Sequence, residues 1–215
     1  LLAGANTAAV EMAPGTWEIL QFKDASLTAP ATYELSTLLR GQRGSTEAGA
    51  LPVPAGARFV LLDAAVKPLS LSAADIALPL SWRAGPARHN IAASSYTSLT
   101  QSFGGKGQSP RRPVHLRGGR NQAGDITLTW IRQTRSGGDS WDQVEVPLGE
   151  TIEQYDVDIM EGGTVVRTIS TSSPSATYTA AMQILDFGAL NSAVEVNVSQ
   201  VSPTYGRGPA ANAVV

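Results

Sequence analysis

Eight carboxylates and no basic residue lie between positions 139 and 161. Carboxylate oxygens suit calcium, and a pair of carboxylates carries out glycoside hydrolysis. The spacing matches no EF-hand loop, in which acids alternate around a central glycine. The pattern favours a solvated strand face and an acidic loop that pairs with the basic segment before it, and we expect no metal and no cofactor. The acids are Asp139, Asp142, Glu145, Glu150, Glu153, Asp156, Asp158 and Glu161.

Trp141 lies within this run, in a glycine-rich polar segment between Asp139 and Asp142. An aromatic side chain on such a loop can stack on a sugar ring or anchor a protein interface. It can also fold back over the edge of its own domain. The sequence leaves both open, and we keep all three residues as interaction candidates.

Two basic segments could recognise anions. Arg111 and Arg112 could contact an anionic glycan or a neighbouring subunit, or could belong to a charged linker. Arg40 and Arg43 belong to a glycine-punctuated loop, Arg40–Glu47, whose glycine amides and two arginine side chains could hold an anion. That loop lacks the Lys-Ser/Thr ending of a phosphate-binding loop, and no helix is predicted after it. We therefore expect a structural or interface loop.

The residues of covalent catalysis are sparse. The chain has no cysteine, and its two histidines, His89 and His115, lie in no recognisable catalytic motif. There is no Gly-x-Ser-x-Gly nucleophile elbow. A triad can still assemble in space, but we expect both histidines to be ordinary loop residues and the chain not to be an enzyme.

The elements that must position these residues are short strands. Only 16% of the 215 residues are charged, and 21 glycines and 13 prolines separate the apolar runs. This composition predicts an all-β fold. The net charge of −2 argues against a nucleic-acid surface. No apolar run reaches transmembrane length. The chain opens at Leu1 without an initiator methionine, so we expect it to be part of a longer protein.

A stretch rich in glycine and proline predicts two domains, 1–105 and 113–215, joined by a linker at 106–112. In the first domain we expect Arg58–Asp63 to be buried on both faces, Asp75–Arg83 to be an edge strand, and at most one helical turn within 70–76. Trp17 and Trp82 fall on apolar faces and are predicted to be core, as is Trp130 in the second domain. The other predicted strands of the first domain are Thr16–Phe22, Tyr33–Leu39 and Asn90–Phe103.

Apolar and polar residues alternate more clearly in the predicted strands of the second domain. In 155–159 the odd-numbered residues face inward, and Asp156 and Asp158 face outward, where water hydrates them. Glu161-Gly162-Gly163 predicts a hairpin turn. The other predicted strands are Asp125–Trp130, Val165–Ser170, Ala176–Ile184 and Val194–Val198.

This order, with Pro113 in front and a Gly-x-Gly turn before the last strand, resembles a fibronectin type III domain, which implies a β-sandwich. Val194 stands where that family usually has a tyrosine. A long insertion, Arg132–Glu150, separates the second and third strands.

Residues 38–47, Leu-Leu-Arg-Gly-Gln-Arg-Gly-Ser-Thr-Glu, resemble a segment near the C-terminal end of the tail-tip baseplate hub, or megatron, of gene transfer agents and related long-tailed phages. The resemblance implies a structural protein without catalysis in these domains. It also implies a symmetric homo-oligomer, a trimer around the tail axis, in contact with other baseplate proteins.

The same resemblance implies assembly in the bacterial cytoplasm, a place at the tail tip, and a part in attachment to the host surface or penetration of its envelope. An alternative is a carbohydrate-binding accessory region of a secreted glycan-active enzyme, with Trp141 and the acidic loop as its sugar platform.

Overall fold

The computed structural model describes residues 4–138, 142 and 144–215. The chain forms two units, Leu1–Lys106 and Gly107–Val215, called unit 1 and unit 2 below. Strands dominate both units, which confirms the all-β prediction. Among the described residues, no helix has the length and apolar character that crossing a membrane requires.

Unit 1 is built on a four-stranded antiparallel sheet with the order β3-β2-β1-β4, and a separate hairpin pairs β5 with β6. A small core of Ala8, Val10, Met12, Leu20 and Phe22 packs against Ala48 of a one-turn helix. The elements are β1 (Thr7–Ala13), β2 (Thr16–Ala29), β3 (Thr32–Gln42), α1 (Thr46–Gly49), β4 (Phe59–Leu61), a 3-10 turn (Ala73–Asp75), β5 (Leu80–Ala84) and β6 (Thr97–Gln101).

The predicted burial of Arg58–Asp63 is wrong. Only Phe59–Leu61 form a strand, and Phe59 and Leu61 are 47% and 43% exposed. The reason is position: β4 lies at the edge of the sheet and pairs with β1 alone. A run of apolar residues predicts burial only when the fold supplies neighbours on both faces.

The strand observed in the region predicted as Asp75–Arg83 is also shorter than predicted. Ser72 and Asp75 form a capping box that starts a 3-10 turn, and the positive φ of Ala77 (63°) interrupts the extended backbone. Only Leu80–Ala84 pair in β5, and its partner strand is likewise confined to Thr97–Gln101.

Trp17 and Trp82 are only partly buried, so their assignment to the core is wrong. Arg58 covers the ring of Trp17 at 5.3 Å, and Phe103 packs edge-on against Trp82 at 6.1 Å. Neither indole belongs to the apolar core cluster of unit 1, which is formed by residues of β1, β2 and α1.

Unit 2 is a sandwich of two antiparallel sheets. One has the order β11-β8-β7, and the other has the order β10-β9-β12, with β13 and β14 both pairing β12. The strands are β7 (Val114–Arg120), β8 (Ile126–Ile131), β9 (Tyr155–Glu161), β10 (Thr164–Thr171), β11 (Ser175–Tyr178), β12 (Glu195–Ser202), β13 (Gly206–Arg207) and β14 (Ala211–Val214), and α2 (Ala180–Phe187) follows β11.

The fibronectin type III-like sandwich predicted for this half is confirmed by its strand order and core. Trp130 is 4% exposed, and its ring meets Tyr155 at 5.2 Å in an edge arrangement. Gly162 and Gly163 both have positive φ, 56° and 82°, as a two-residue hairpin turn requires. The inward-facing residues are Ile126, Leu128, Trp130, Tyr155, Val157, Ile159, Val196 and Val198.

The strand predicted over Ala176–Ile184 is wrong in its second half. β11 ends at Tyr178 and helix α2 begins at Ala180. Thr179 caps the helix by accepting a hydrogen bond from the amide of Met182 at 3.2 Å, and Gly188 ends it with a φ of 77°. Threonine before the helix and glycine after it are start and stop signals that the sequence carries.

Candidate functional site

Unit 1 contains a fully buried carboxylate, Glu18, beneath the segment that resembles the baseplate hub. Arg40 donates to it through Nε at 2.9 Å and through Nη2 at 2.6 Å. The amide of Gly41 adds a third hydrogen bond at 3.0 Å. The hydrogen bond to Glu18 raises the pKa of Arg40 above its ordinary value. The buried charge is thus paired and hydrogen-bonded, as burial of a charge requires.

The residues that follow Arg40 close the turn around this ion pair. Ser45 Oγ accepts from the amide of Ile19 at 2.9 Å and donates to the carbonyl of Gln42 at 2.7 Å. A Cβ atom on Gly49 would lie 2.8 Å from the amide nitrogen of Gly41 and 2.9 Å from Glu18 Oε1. Glycine is therefore the residue that fits at position 49.

This geometry gives the segment a structural role. The arginine and the glycine amide predicted to hold an anion do hold one, but it is the chain's own Glu18. Arg43 lies on the outside of the turn with a positive φ of 52°, and its side chain is exposed. The expectation that no helix follows the loop is wrong, because Thr46–Gly49 form α1.

The insertion of unit 2 is tied to the end of the sandwich by its own arginines. Arg132, whose side chain is 11% exposed, pairs with Glu145 at 2.7 Å and with Glu153 at 3.4 Å. Arg135 forms an ion pair with Glu150, which also accepts a 2.6 Å hydrogen bond from Ser202. Acids of the run thus pair with basic residues just before it.

The outer face of β9 differs from its prediction. Asp158 is 7% exposed rather than hydrated, because Arg207 and Thr168 bind it at 2.7 Å and 2.6 Å. Asp156 is partly buried and receives a hydrogen bond from Ser170 at 2.7 Å. Neighbouring strands on a sheet bring these polar groups within reach of the two acids.

Of the predicted arginine pair, Arg112 is exposed and Arg111 is partly buried. Burial lowers the pKa of Arg111, and the positive charge of Arg135 lowers it further. Arg135 is itself paired with Glu150, and its guanidinium lies 5.5 Å from the ring centre of Tyr205. Asp142 is exposed, whereas Asp139 and Trp141 lie outside the described residues.

The described histidines form no catalytic arrangement with an acid. His89 Nδ1 lies 2.9 Å from Ser95 Oγ, and both residues are exposed. His115 is exposed in β7 with a positive φ of 54°. Within residues 4–138, 142 and 144–215, no three His, Cys, Asp or Glu side chains are grouped so that they could hold a metal ion.

Two features of unit 1 have no counterpart in the sequence predictions. The first is a two-stranded ribbon, residues 23–39, which we call the β-arm. Beyond Gln21 β2 no longer pairs with β1 and continues with β3 alone. The second is a groove of about 260 Å³ at the base of this arm, which we call the apolar groove. It is lined by Val10, Leu20, Leu35, Leu38, Val53, Pro54, Gly56, Ala57 and Phe59.

Comparison with known proteins finds one family similarity. The family model described as "Rcc01698-like, C-terminal" matches residues 1–60, which include β1 to β3 and the Glu18–Arg40 ion pair. No curated protein matches the chain.

Solved structures resemble the chain only distantly. Rat CD45 extracellular domains d3–d4 are 12% identical, with 89% of this chain and 93% of that chain covered and a TM-score of 0.36. The FN5 domain of Drosophila Lar is 13% identical over 49% of this chain and 94% of its own, with a TM-score of 0.30. Chicken CNTN1 FN1–FN3 is 9% identical, with 97% of this chain and 54% of that chain covered and a TM-score of 0.34. The assignment of unit 2 as a sandwich rests on its own strand order and core.

Proposed function

We propose that this chain is a structural part of a phage-like tail baseplate or tail tip. In this role it contributes to assembly of the hub and to attachment at, or penetration of, the host cell envelope. It acts without catalysis in these two units. We place it at the tail tip of a virion or gene transfer agent particle that is assembled in the bacterial cytoplasm.

The observation that carries the proposal is the family match over residues 1–60. The match includes the segment 38–47 that resembles the baseplate hub. The structure gives that segment a physical reason to be distinctive, because Arg40, Gly41 and Gly49 all lie against the buried carboxylate of Glu18.

Unit 2 supports a role in contacts. Its sandwich carries the insertion 132–150 between β8 and β9, and Arg112, just before β7, has an exposed side chain. An arginine at the surface suits a contact with a carboxylate-bearing neighbour in a tail assembly, or with an anionic glycan on a cell surface. The proposed partners are other baseplate and tail proteins and further copies of this chain in a trimer. The net charge of −2 gives no reason to add nucleic acid.

Immunogold electron microscopy tests the proposal. An antibody raised against the 215-residue chain is applied to phage-like particles released by the source organism. We expect gold at the tail tip. Particles treated with antibody that has been pre-adsorbed on the purified chain are the control and should stay unlabelled.

A different labelling pattern would overturn the proposal. If the particles stay bare while the antibody detects a soluble secreted protein, the tail assignment fails. Glycan binding through Trp141 and the insertion then becomes the leading function, and a glycan array with a Trp141→Ala variant is the next measurement.

A further inference from the structure

We propose that residues 63–105, called the spacer segment below, open separately from the rest of the chain and act as an extensible spacer. The four-stranded sheet of unit 1 precedes this segment in the chain, and unit 2 follows it. Opening of the segment lengthens the connection between the sheet and unit 2 while both stay folded. The device does not depend on the proposed tail-tip function.

No side chain of the spacer segment is buried. Every residue from 63 to 105 is exposed or partly buried, whereas Ala8, Glu18 and Leu20 in the sheet are at most 3% exposed. Burial of apolar surface is the main driving force of folding, so a stretch without buried side chains opens at a low cost in free energy. The exposed large apolar residues of the segment are Val66, Leu69, Leu71, Leu78, Ile91 and Leu99.

The spacer segment is bonded to itself. Among the described residues, each hydrogen bond and each ring contact of residues 63–105 has both partners within that range. β5 pairs with β6, and neither strand joins the sheet of β1 to β4. Just before the segment, the amide of Leu62 donates to the carbonyl of Thr7 in β1 at 2.8 Å. Opening of the segment therefore breaks no hydrogen bond of the sheet.

The closed form of the segment depends on a small number of contacts. The ring of Trp82 meets that of Phe103 edge-on at 6.1 Å, and the amide of Ala77 donates to the carbonyl of Phe103 at 2.9 Å. The guanidinium of Arg83 lies 5.9 Å from the ring centre of Tyr96. The buried Nε1 of Trp82 has no acceptor among the described residues, which costs free energy. A separate two-stranded hairpin is marginally stable in water.

Opening changes the reach of the chain. In the closed form β5 and β6 are antiparallel, with Leu80 opposite Gln101, so the chain returns toward the start of the hairpin. An extended chain covers about 3.3–3.6 Å per residue, so the opened segment spans up to about 150 Å. Unit 2 can then move far from the sheet of unit 1 without the loss of either core.

Amide hydrogen exchange of the complete 215-residue chain tests the separate opening. Mass spectrometry follows exchange from milliseconds to hours, and unit 2 is the internal reference in every sample. We expect peptides from residues 63–105 to exchange about a hundredfold or more faster than those from β1, β2, β9 and β12. Protection of residues 63–105 equal to that of β1 and β2 would overturn the proposal.

Two variants test whether the segment and the sheet open independently. Trp82→Ala removes the ring contact with Phe103 and should accelerate exchange within residues 63–105 alone. Leu20→Ala, in the core of the sheet, should accelerate exchange in β1 to β3 and leave the segment unchanged. Ser98→Ala, at an exposed residue of β6, is the matched control and should change neither. Loss of protection in β1 to β3 on Trp82→Ala would show that the segment and the sheet open together.

Distance measurements between two spin labels test the lengthening. The chain has no cysteine, so labels attach only where cysteines are introduced. Ala64→Cys and Gly104→Cys place them near the two ends of the segment, because Ala64 is exposed and a Cβ on Gly104 meets no atom within 4 Å. We expect a compact and a longer-distance population, and Trp82→Ala should increase the longer one. A single narrow distribution with and without Trp82→Ala would reject the spacer, even if exchange is fast.

The outcome is independent of the gold-labelling experiment. Gold at the tail tip together with a segment that never lengthens would reject the spacer and leave the proposed function standing. A segment that lengthens in a protein absent from the particles would reject the tail-tip function and leave the spacer standing.

Discussion

Arg40 donates hydrogen bonds from Nε, at 2.9 Å, and from Nη2, at 2.6 Å, to the two carboxylate oxygens of Glu18, whose side chain is fully buried. The planar guanidinium matches the carboxylate with two hydrogen bonds at once, which a lysine ammonium does not do. The turn that follows Arg40 is organised by this pair. The loop has the composition of an anion-binding site, but its Arg40 and Gly41 bind the carboxylate of Glu18 within unit 1.

Removal of the Arg40 side chain should destabilise unit 1 more than unit 2. Arg40→Ala leaves the buried carboxylate of Glu18 without a cation, which costs about 3–5 kcal/mol. Amide hydrogen exchange measured by mass spectrometry reads the two units separately, and β1 to β3 should lose protection while β9 and β12 keep theirs. Arg43→Ala, at an exposed arginine of the same turn, is the control and should change neither unit. Unchanged protection of β1 to β3 in Arg40→Ala would show that the pair does not stabilise the fold.

Truncation of the core tryptophan should destabilise unit 2. Trp130→Ala removes a ring that is 4% exposed and packed against Tyr155, at a cost of about 3–5 kcal/mol. Denaturant unfolding followed by far-ultraviolet circular dichroism measures the loss. From the sequence we expect Trp141→Ala to leave the melting temperature unchanged. A Trp130→Ala chain as stable as the wild type would contradict the core assignment.

Acid should weaken unit 2 through Asp186. Hydrogen bonds from Arg167, at 2.6 Å and 2.7 Å, are the main cause that holds the pKa of Asp186 below its usual value, and the hydroxyl of Tyr178 adds to the effect. A folded-state pKa below the unfolded value means that the unfolded chain binds the proton first. The stabilisation is therefore fully present above about pH 4 and is lost as the pH falls through the lowered pKa.

The Asp186→Asn variant tests this relationship. Its free energy of unfolding should be lower than that of the wild type at pH 7, and the gap should narrow as the pH falls below about 4. Urea denaturation at a series of pH values measures both chains. A gap of constant size across that range would show that ionisation of Asp186 does not contribute.

The N-cap of helix α2, Thr179, should contribute measurably to the free energy of unfolding. Thr179→Ala removes the acceptor for the amide of Met182, and loss of such a cap costs about 1 kcal/mol. The helix residues should exchange their amide hydrogens faster, whereas Ser192→Ala, at an exposed loop residue, should leave exchange unchanged. Equal exchange rates in both variants would mean that the cap is dispensable.

Much of unit 2 was predictable because its strands are covered by a second sheet. Alternation in β8, β9 and β12 reports the side that faces the core, and Gly162-Gly163 supports a turn that few other residues allow. Helix α2 was missed although Thr179 and Gly188 mark its ends. Eight residues are too few for an apolar periodicity to stand out between two strands.

Unit 1 was less predictable because its strands lack such a cover. The apolar run at Phe59–Leu61 has the composition of a buried strand, yet β4 has a neighbour on only one side. The buried position of Glu18 has no signal in its own strand, since an acid between Trp17 and Ile19 is typical of a solvated face. Its burial follows from Arg40, which is 22 residues away in sequence.

The sequence by itself determined the all-β class, the alternation of the sandwich strands and the motif around Arg40, because these depend on composition and on side-chain periods within one strand. Only the tertiary structure decided which carboxylate Arg40 binds, why Asp158 is buried, and that Leu35 and Leu38 of the β-arm line an apolar groove. Those properties depend on which strands become neighbours. A local sequence pattern cannot predict a contact between residues that lie far apart in the chain.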